Sequence, residues 1–254
     1  LLSQIPEWDV IPNEVIIVDS SDKPLIIPNY FYTFTARNNI KLLIIRGDGF
    51  YPGHARNVGI KRSNNNLLAF LDTSTFPEKT WLSSGLEIIN THNSEGVWGK
   101  TYYRADKFFS KICKSSTYGG KPIKTFPGSI LKKHVFNTCG LFVESTRAGE
   151  DGDWVSRAKL HDVHISNPIE FLTYGELNEL SISQIIAKWY RNYTHSSRLP
   201  YSRTHISFYF YCLSFLAIVV AYNWNAVLAS WDTESARYIP NITKRLAKNM
   251  VLWS

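Results

Sequence analysis

Glu14-Val-Ile-Ile-Val-Asp19 is the stretch that decides the fold, because four consecutive apolar residues stand between two acids. An apolar run of this length predicts a strand that is buried on both faces, as the strands of a parallel sheet are. Ser20-Ser-Asp-Lys-Pro24 follows directly and is typical of a turn. Asp19 is therefore expected at the carboxyl end of a buried strand.

Two similar runs follow along the chain, and each is succeeded by a helical segment. Ile40-Lys-Leu-Leu-Ile-Ile45 predicts a second strand and Leu67-Leu-Ala-Phe-Leu71 predicts a third. Helices are expected from His54 to Arg62 and from Trp81 to Thr91, where apolar residues recur on one face. Strands that alternate with helices indicate an open α/β sheet.

Two acids are expected at the same edge of this sheet, because Asp72 follows the third strand as Asp19 follows the first. Ligands of open α/β sheets bind beyond the carboxyl ends of the strands. A glycine-rich loop, residues 46–53, follows the second strand. Together these features favour a ligand site at that edge. Further on, residues 97–103 predict another strand, and residues 107–120 predict a mobile loop or a short helix.

Gly149-Glu-Asp-Gly-Asp153 is a separate cluster of acids, which leads through Trp154 into a short predicted helix. The glycine before Glu150 and Asp151 suggests a close approach to a site. Carboxylates at a helix start can serve as a general base, because the surroundings tune their pKa. The alternative is an ordinary helix N-terminus, where the helix dipole favours acids.

The composition favours a folded chain with anionic partners. The chain has 254 residues, of which 44% are hydrophobic and 14% aromatic, and its net charge is +7. These values indicate a globular core, and the basic excess suits phosphates, nucleotides or an anionic membrane. The three cysteines, Cys113, Cys139 and Cys212, form neither a disulfide framework nor a metal-binding spacing, which fits a reducing compartment.

The last third of the chain changes character, because no Asp or Glu occurs from Leu180 to Trp231. Residues 179–205 mix basic and aromatic side chains and predict an amphipathic segment at a membrane interface. Residues 206–231 carry no charge and are long enough to cross a bilayer, so they predict a transmembrane helix, with a buried core helix as the alternative. Residues 232–254 form a tail that could begin a further membrane segment.

The order of four segments resembles the family 2 inverting glycosyltransferases of the GT-A fold. The segments are Glu14 to Ser21, Gly53-His-Ala-Arg-Asn-Val-Gly-Ile60, Leu68-Ala-Phe-Leu-Asp-Thr-Ser-Thr75, and the group formed by Phe126-Pro-Gly-Ser129, Cys139 to Glu144 and Gly149-Glu-Asp151. The resemblance covers about residues 1–195. It implies a Rossmann-like mixed sheet flanked by helices in residues 1–178, followed by the membrane helix. The family's first strand is missing before Leu1, which suggests a fragment.

The resemblance also implies a role for each residue of the predicted site. Asp19 and the turn with Ser21 would hold the base or ribose of the donor. Arg56 and Asn57 would lie near the donor, where Arg56 can bind phosphate or a structural carboxylate. Asp151 would be the base that deprotonates the acceptor hydroxyl, with Glu150 beside it. Asp72 would bind Mg²⁺ or Mn²⁺, or else the ribose.

Ser74 departs from the family pattern, because it stands where the family usually carries a second acid. Three explanations stay open. Asp72 alone could hold the metal together with the diphosphate and water, basic residues could replace the metal, or the activity could be weak. The metal is therefore an expectation that depends on Asp72.

The expected function is transfer of a sugar from a nucleotide-diphosphate-sugar donor to an acceptor hydroxyl with inversion. A membrane anchor suggests a glycan or lipid-linked acceptor, as in the assembly of envelope polysaccharide or glycolipid. The enzyme would sit at the cell membrane with its catalytic domain in the cytoplasm. The alternative is a non-catalytic, membrane-attached module that binds carbohydrate or a partner. Nucleic acid is not an expected partner, because the basic segment adjoins an uncharged apolar stretch.

Overall fold

The structure is a computed structural model that describes residues 1–23, 25–175, 181–200 and 210–219. The chain divides into two compact units, Leu1–Leu199 and Pro200–Ser254.

The first unit begins with a small parallel sheet. Strand β1, Glu14–Asp19, pairs with β2, Lys41–Arg46, so that Asp19 lies opposite Arg46. Helix α1, Asn29–Arg37, connects these strands, and α2, Pro52–Arg62, follows them. Because β1 and β2 are parallel, their carboxyl ends share one edge, which places Asp19 beside the loop that enters α2.

Six further strands form a second sheet: β3 (Leu67–Ala69), β4 (Thr75–Pro77), β5 (Gly96–Tyr103), β6 (Ile123–Lys132), β7 (Ile165–Ser166) and β8 (Leu172–Tyr174). Their order is β3-β6-β5-β8-β4, with β7 also paired to β5. The pairs β3–β6, β5–β6 and β4–β8 are antiparallel, whereas β5 pairs with β7 and β8 in parallel. Further α-helices of the first unit are α3 (Trp81–Thr91), α4 (Phe108–Thr117), α5 (Val135–Cys139), α6 (Glu150–Leu160) and α7 (Ile182–Ser196).

The mixed α/β architecture agrees with the sequence, but the expectation of one continuous sheet is wrong for the described strands, which form two sheets. The third predicted strand is also shorter than expected. It ends at Ala69, and Asp72 instead opens a turn in which the backbone N–H and hydroxyl of Thr75 both donate to the Asp72 carbonyl. Helix α1 was not predicted, and residues 107–120 contain helix α4.

Among the described residues two hydrophobic clusters form the core, and the second one lies under the candidate site. The first joins Phe31 of α1 to Trp81 and Ile88 of α3. The second centres on Trp154, whose side chain is fully buried among aromatic neighbours. Those neighbours are Trp98, Phe126, Phe136 and Phe142. Burial of several large rings in one place fixes the start of α6 against β6 and α5.

The C-terminal third is described in part. Helix α7 begins with a capping box in which Ser181 and Gln184 bond each other's backbone N–H groups. The predicted membrane helix, residues 206–231, lies mostly outside the described residues, and only 210–219 of it is described, as helix. Within the described ranges, every helix is too short or too polar to cross a membrane. The predicted tail, residues 232–254, lies entirely outside them.

Candidate active site

Three acids converge on one arginine, and this cluster is the centre of the candidate site. Nη1 of Arg56 donates to Oε1 of Glu150 at 2.9 Å and to Oδ1 of Asp151 at 2.5 Å. Its Nη2 lies 3.3 Å from Oδ1 of Asp72. The cluster joins residues that are far apart in the sequence, so it exists only in the folded chain.

The fold holds Arg56 in place from two sides. Its guanidinium lies over the rings of Phe126 and Phe142, 5.3 and 5.5 Å from their centroids, which favours the cation. The next residue on α2, Asn57, is buried. Its Nδ2 donates to the carbonyl of Phe142 and to Oε1 of Glu144, and its Oδ1 accepts from the backbone N–H of Phe142. Arg56 is therefore positioned before any ligand binds.

Charge is unbalanced in this cluster, because three carboxylates share one guanidinium. Burial raises the pKa of Asp151 to about 7, and the nearby charges of Glu150 and Asp72 add to the rise that Arg56 opposes. Burial likewise raises the pKa of Glu150. The side chain of Asp151 is 35% exposed whereas that of Glu150 is 6% exposed. Asp151 is therefore the accessible acid of the pair, and its pKa suits proton transfer near neutral pH.

Helix α6 holds this acidic pair at its first turn. Trp154 Nε1 donates to the carbonyl of Gly140 at 3.0 Å, which ties the helix to the end of α5. Arg157 bonds Asp153 on its own helix and donates to the carbonyls of Cys139 and Leu141. These bonds fix the rotation of α6 and hence the direction in which its first residues point. The positioning role of Arg157 was not predicted, because its acceptors include backbone carbonyls, which no residue pattern indicates.

Gly149 has a packing role that the sequence did not predict. Its φ is 91°, a left-handed conformation, and a Cβ there would lie 2.8 Å from Cβ of Ser196 and 2.9 Å from Leu199. The close approach seen in the structure is to Ser196, at the C-terminal end of α7, and to Leu199. The backbone N–H of Arg147 also donates to Nδ1 of His195. Helix α7 thus supports the loop that carries the acidic pair.

The Asp72 turn is where the sequence predicts a metal ion. Among the described residues, no three His, Cys, Asp or Glu side chains are grouped as metal ligands. Asp72 is 49% exposed, so one carboxylate is available, with Ser74 two residues away in the same turn. Mg²⁺ at a nucleotide usually takes one or two carboxylates, and phosphates and water complete its shell. Asp72 fits a cation that is held mainly by a diphosphate.

Asp19 and Ser21 form a turn of their own at the end of β1. The backbone N–H and the hydroxyl of Ser21 both donate to Oδ1 of Asp19, at 3.0 and 2.6 Å. These bonds lower the pKa of Asp19, so it stays ionised. The carbonyl of Asp19 accepts from Gly47, which links the turn to the glycine-rich loop.

Comparison with known proteins identifies the chain's family. A family model described as glycosyl transferase family 2 matches residues 1–144, more than half of the 254 residues. The chain belongs to glycosyl transferase family 2. The matched part of this family 2 chain contains Asp19, Arg56, Asn57 and Asp72, and it ends before the acidic pair.

Individual known proteins are also similar to this chain. Glycosyltransferase AglE of Haloferax volcanii is 30% identical over 185 residues, which cover 65% of this chain and 59% of AglE. The chain therefore spans about three fifths of that relative's length. S. aureus TarS 1–349 in complex with UDP has a TM-score of 0.53 at 17% identity, over 79% of this chain and 61% of that chain.

A further structural neighbour is the mannosyltransferase PcManGT from Pyrobaculum calidifontis in complex with GDP-Man and Mn²⁺. Its TM-score is 0.50 at 14% identity, and the match covers 99% of this chain and 74% of that chain. At these identities the likeness to PcManGT and TarS concerns the fold. The mixed α/β fold is thus of the GT-A type that the sequence predicted.

Proposed function

We propose that this chain is an inverting glycosyltransferase that moves a sugar from a nucleotide-diphosphate-sugar to an acceptor hydroxyl. The observation that carries the proposal is the cluster in which Asp72, Glu150 and Asp151 share Arg56. It provides an accessible carboxylate with a pKa of about 7 beside an acid that suits a cation-bound diphosphate. Family membership supports the same reaction class.

Asp151 acts as the general base in this proposal. Its carboxylate accepts the proton of the acceptor hydroxyl while that oxygen attacks the anomeric carbon of the donor. The bond from the anomeric carbon to the diphosphate oxygen breaks, and the diphosphate leaves with the electron pair. Because a single displacement occurs at that carbon, its configuration inverts. Arg56 and Glu150 orient Asp151 through the bonds described above.

The donor would lie between the Asp19 turn and the Asp72 turn. Asp19 and Ser21 would face the base or ribose, and Asn57 would position the helix that carries Arg56. Mg²⁺ or Mn²⁺ held by Asp72 and the diphosphate would stabilise the charge of the leaving group. The Mn²⁺ in the PcManGT complex supports this choice of cation.

The test is donor binding and turnover in paired variants of the full chain. Calorimetry with UDP-GlcNAc and with GDP-Man, each with and without Mn²⁺, measures donor binding. Asp151→Asn should retain binding and lose transfer, because Asn cannot accept the proton. Asp162→Asn is the matched control, since Asp162 is exposed just after α6 and far along the helix from the acidic pair. Full turnover by Asp151→Asn would rule out the mechanism, and absence of donor binding would favour a non-catalytic module.

We further propose that the enzyme works at the cell membrane with its catalytic domain in the cytoplasm. Its acceptor would be a glycan or a lipid-linked molecule, in the assembly of envelope polysaccharide or glycolipid. Helix α7 supports membrane contact, because its large exposed side chains recur on one face. Those side chains are Ile186, Trp189, Tyr190 and Tyr193, with exposed fractions of 58%, 40%, 75% and 62%. The basic residues of 179–205, which precede the uncharged stretch 206–231, favour the cytoplasmic side.

Vesicle sedimentation tests the membrane proposal. The full chain should bind vesicles that contain anionic lipid more tightly than neutral ones, since α7 carries Lys188 and Arg191 and no acid. Replacing Tyr190 and Tyr193 with Ser should weaken binding. Replacing Thr33 of α1 and Asn38, which caps the C-terminus of α1, with Ser provides a control with the same number of changes at exposed sites. Equal binding by all variants would refute a role for this face.

A further inference from the structure

A row of tyrosines borders the candidate site at the ends of neighbouring strands. In β8, Tyr174 pairs with Thr75 of β4 on one side and with Tyr103 of β5 on the other. Thr75 closes the turn that carries Asp72. Because directly paired residues point to the same face of a sheet, Tyr103 and Tyr174 share the face at this end. Strand register thus places both tyrosines next to the Asp72 turn.

A third ring completes the group. Tyr118, just after α4, stacks on Tyr103 with ring centroids 3.8 Å apart and planes within 10°. The rings of Tyr103 and Tyr174 are 5.1 Å apart and inclined at 54°. All three side chains are half-buried, so each keeps part of its surface at solvent. We call Tyr103, Tyr118 and Tyr174 the tyrosine cluster.

The tyrosine cluster lies within electrostatic reach of the reacting acids. The pKa of Tyr103 is raised by burial and by Tyr118, and the charges of Asp72 and Asp151 raise it further. Its hydroxyl therefore stays protonated and able to donate a hydrogen bond. A molecule that touches Tyr103 would have its neighbouring atoms close to the proposed base.

Helix α7 adds a polar group to the cluster. Lys188 Nζ donates to the hydroxyl of Tyr174 at 3.2 Å and lies 5.6 Å from the centre of its ring. The cluster thus combines apolar ring surface with hydroxyl and ammonium donors. Sugars offer the complementary chemistry, because a pyranose ring has faces of C–H groups and a rim of hydroxyls that accept hydrogen bonds.

We propose that the tyrosine cluster is the binding site for a pyranose ring of the acceptor. This inference rests on the proposed function and narrows its acceptor to a molecule that already carries a sugar. A bare lipid phosphate or a polyol chain would have no ring to place on the tyrosines. The acceptor hydroxyl would then project from that ring toward Asp151.

Direct binding tests the inference without any need for turnover. Saturation-transfer NMR on the full chain would compare methyl pyranosides of glucose, mannose and galactose with glucitol, which has similar hydroxyls but no ring. At least one methyl pyranoside should bind measurably tighter than glucitol. Equal signals from glucitol and every pyranoside would overturn the inference, because ring recognition would then be absent.

Variants locate the site. Tyr103→Leu and Tyr174→Leu should each weaken pyranoside binding by about three- to tenfold, the range expected for loss of one aromatic contact. Tyr103→Phe keeps the ring and should lose less. Tyr102→Leu is the matched control, since Tyr102 precedes Tyr103 on β5 and, by strand alternation, points to the other face. Loss of binding in Tyr102→Leu but not in Tyr103→Leu or Tyr174→Leu would overturn the assignment.

Donor calorimetry on the same variants separates this inference from the proposed function. Tyr103→Leu should bind UDP-GlcNAc or GDP-Man as the wild type does, and this also shows that the variant is folded. If the wild type binds donor but shows no preference for pyranose rings, only the tyrosine cluster assignment fails. If the wild type binds pyranosides and no donor, the proposed function fails while the sugar site stands.

Discussion

The base role of Asp151 predicts how the transfer rate depends on pH. The pKa of Asp151 is about 7, raised from 3.8 by burial and by two neighbouring acids. Only the ionised form can accept a proton, so at pH 6 about one molecule in eleven is active and kcat/KM falls about tenfold below its plateau. The acidic limb of the profile should therefore have its midpoint near neutral pH and not near pH 4.

Asp151→Asn sharpens this prediction, because it should change both the height and the shape of the profile. General-base catalysis contributes about 10²- to 10⁴-fold, so the plateau should fall by that factor. The limb near pH 7 should disappear with the titrating group. The assay is release of nucleoside diphosphate between pH 5 and 9, with Asp162→Asn as control. An acidic limb that persists in Asp151→Asn would show that another group is the base.

Three further predictions concern stability, measured by chemical denaturation. Because the pKa of Asp151 is higher in the folded than in the unfolded protein, folding stability falls as pH rises from about 4 to 7. Asp151→Asn should therefore be more stable than the wild type at pH 8, by about 1 kcal/mol after allowance for solvent screening, and equally stable at pH 3. Arg56→Lys should lower the free energy of unfolding by about 2 kcal/mol, because one ammonium cannot bond three acids. Arg46→Lys, the control, should leave it nearly unchanged. Gly149→Ala should lower the free energy of unfolding by about 1–3 kcal/mol, because of the left-handed φ at this position and the contact of the new Cβ with Ser196. Gly120→Ala should have a negligible effect, because the space around a Cβ at Gly120 is open. A stable Gly149→Ala would show that α7 does not pack on this loop.

The sequence predicted the parts of the site that lie in recognisable motifs. Strand β1 with Asp19 at its end has the predicted bounds, and so does α3. Arg56 was expected to bind phosphate or a carboxylate, and the structure gives it three carboxylates. These predictions worked because each motif is local or occurs in a fixed order along the chain. The roles of these residues in catalysis stay predictions.

The rest of the site depends on contacts that no local pattern records. Strands β4 and β8 have three residues each, too few for an alternation to be recognised, yet their pairing places Tyr174 between Thr75 and Tyr103. The contact of Gly149 with α7 could not be predicted, because a glycine required by a neighbouring helix looks the same in sequence as one required by a ligand. The split of the expected single sheet likewise depends on long-range pairing.

The structure also gives a reason to choose between the two adjacent acids. Glu150 is 6% exposed, and its Oε2 is buried without a hydrogen-bond partner among the described residues. A group so enclosed can hold Arg56 but cannot reach an acceptor hydroxyl. Asp151 bonds the same nitrogen of Arg56 and still exposes 35% of its side chain. Glu150 is therefore the positioning residue, and Asp151 is the acid that can both approach the acceptor and change its protonation near neutral pH.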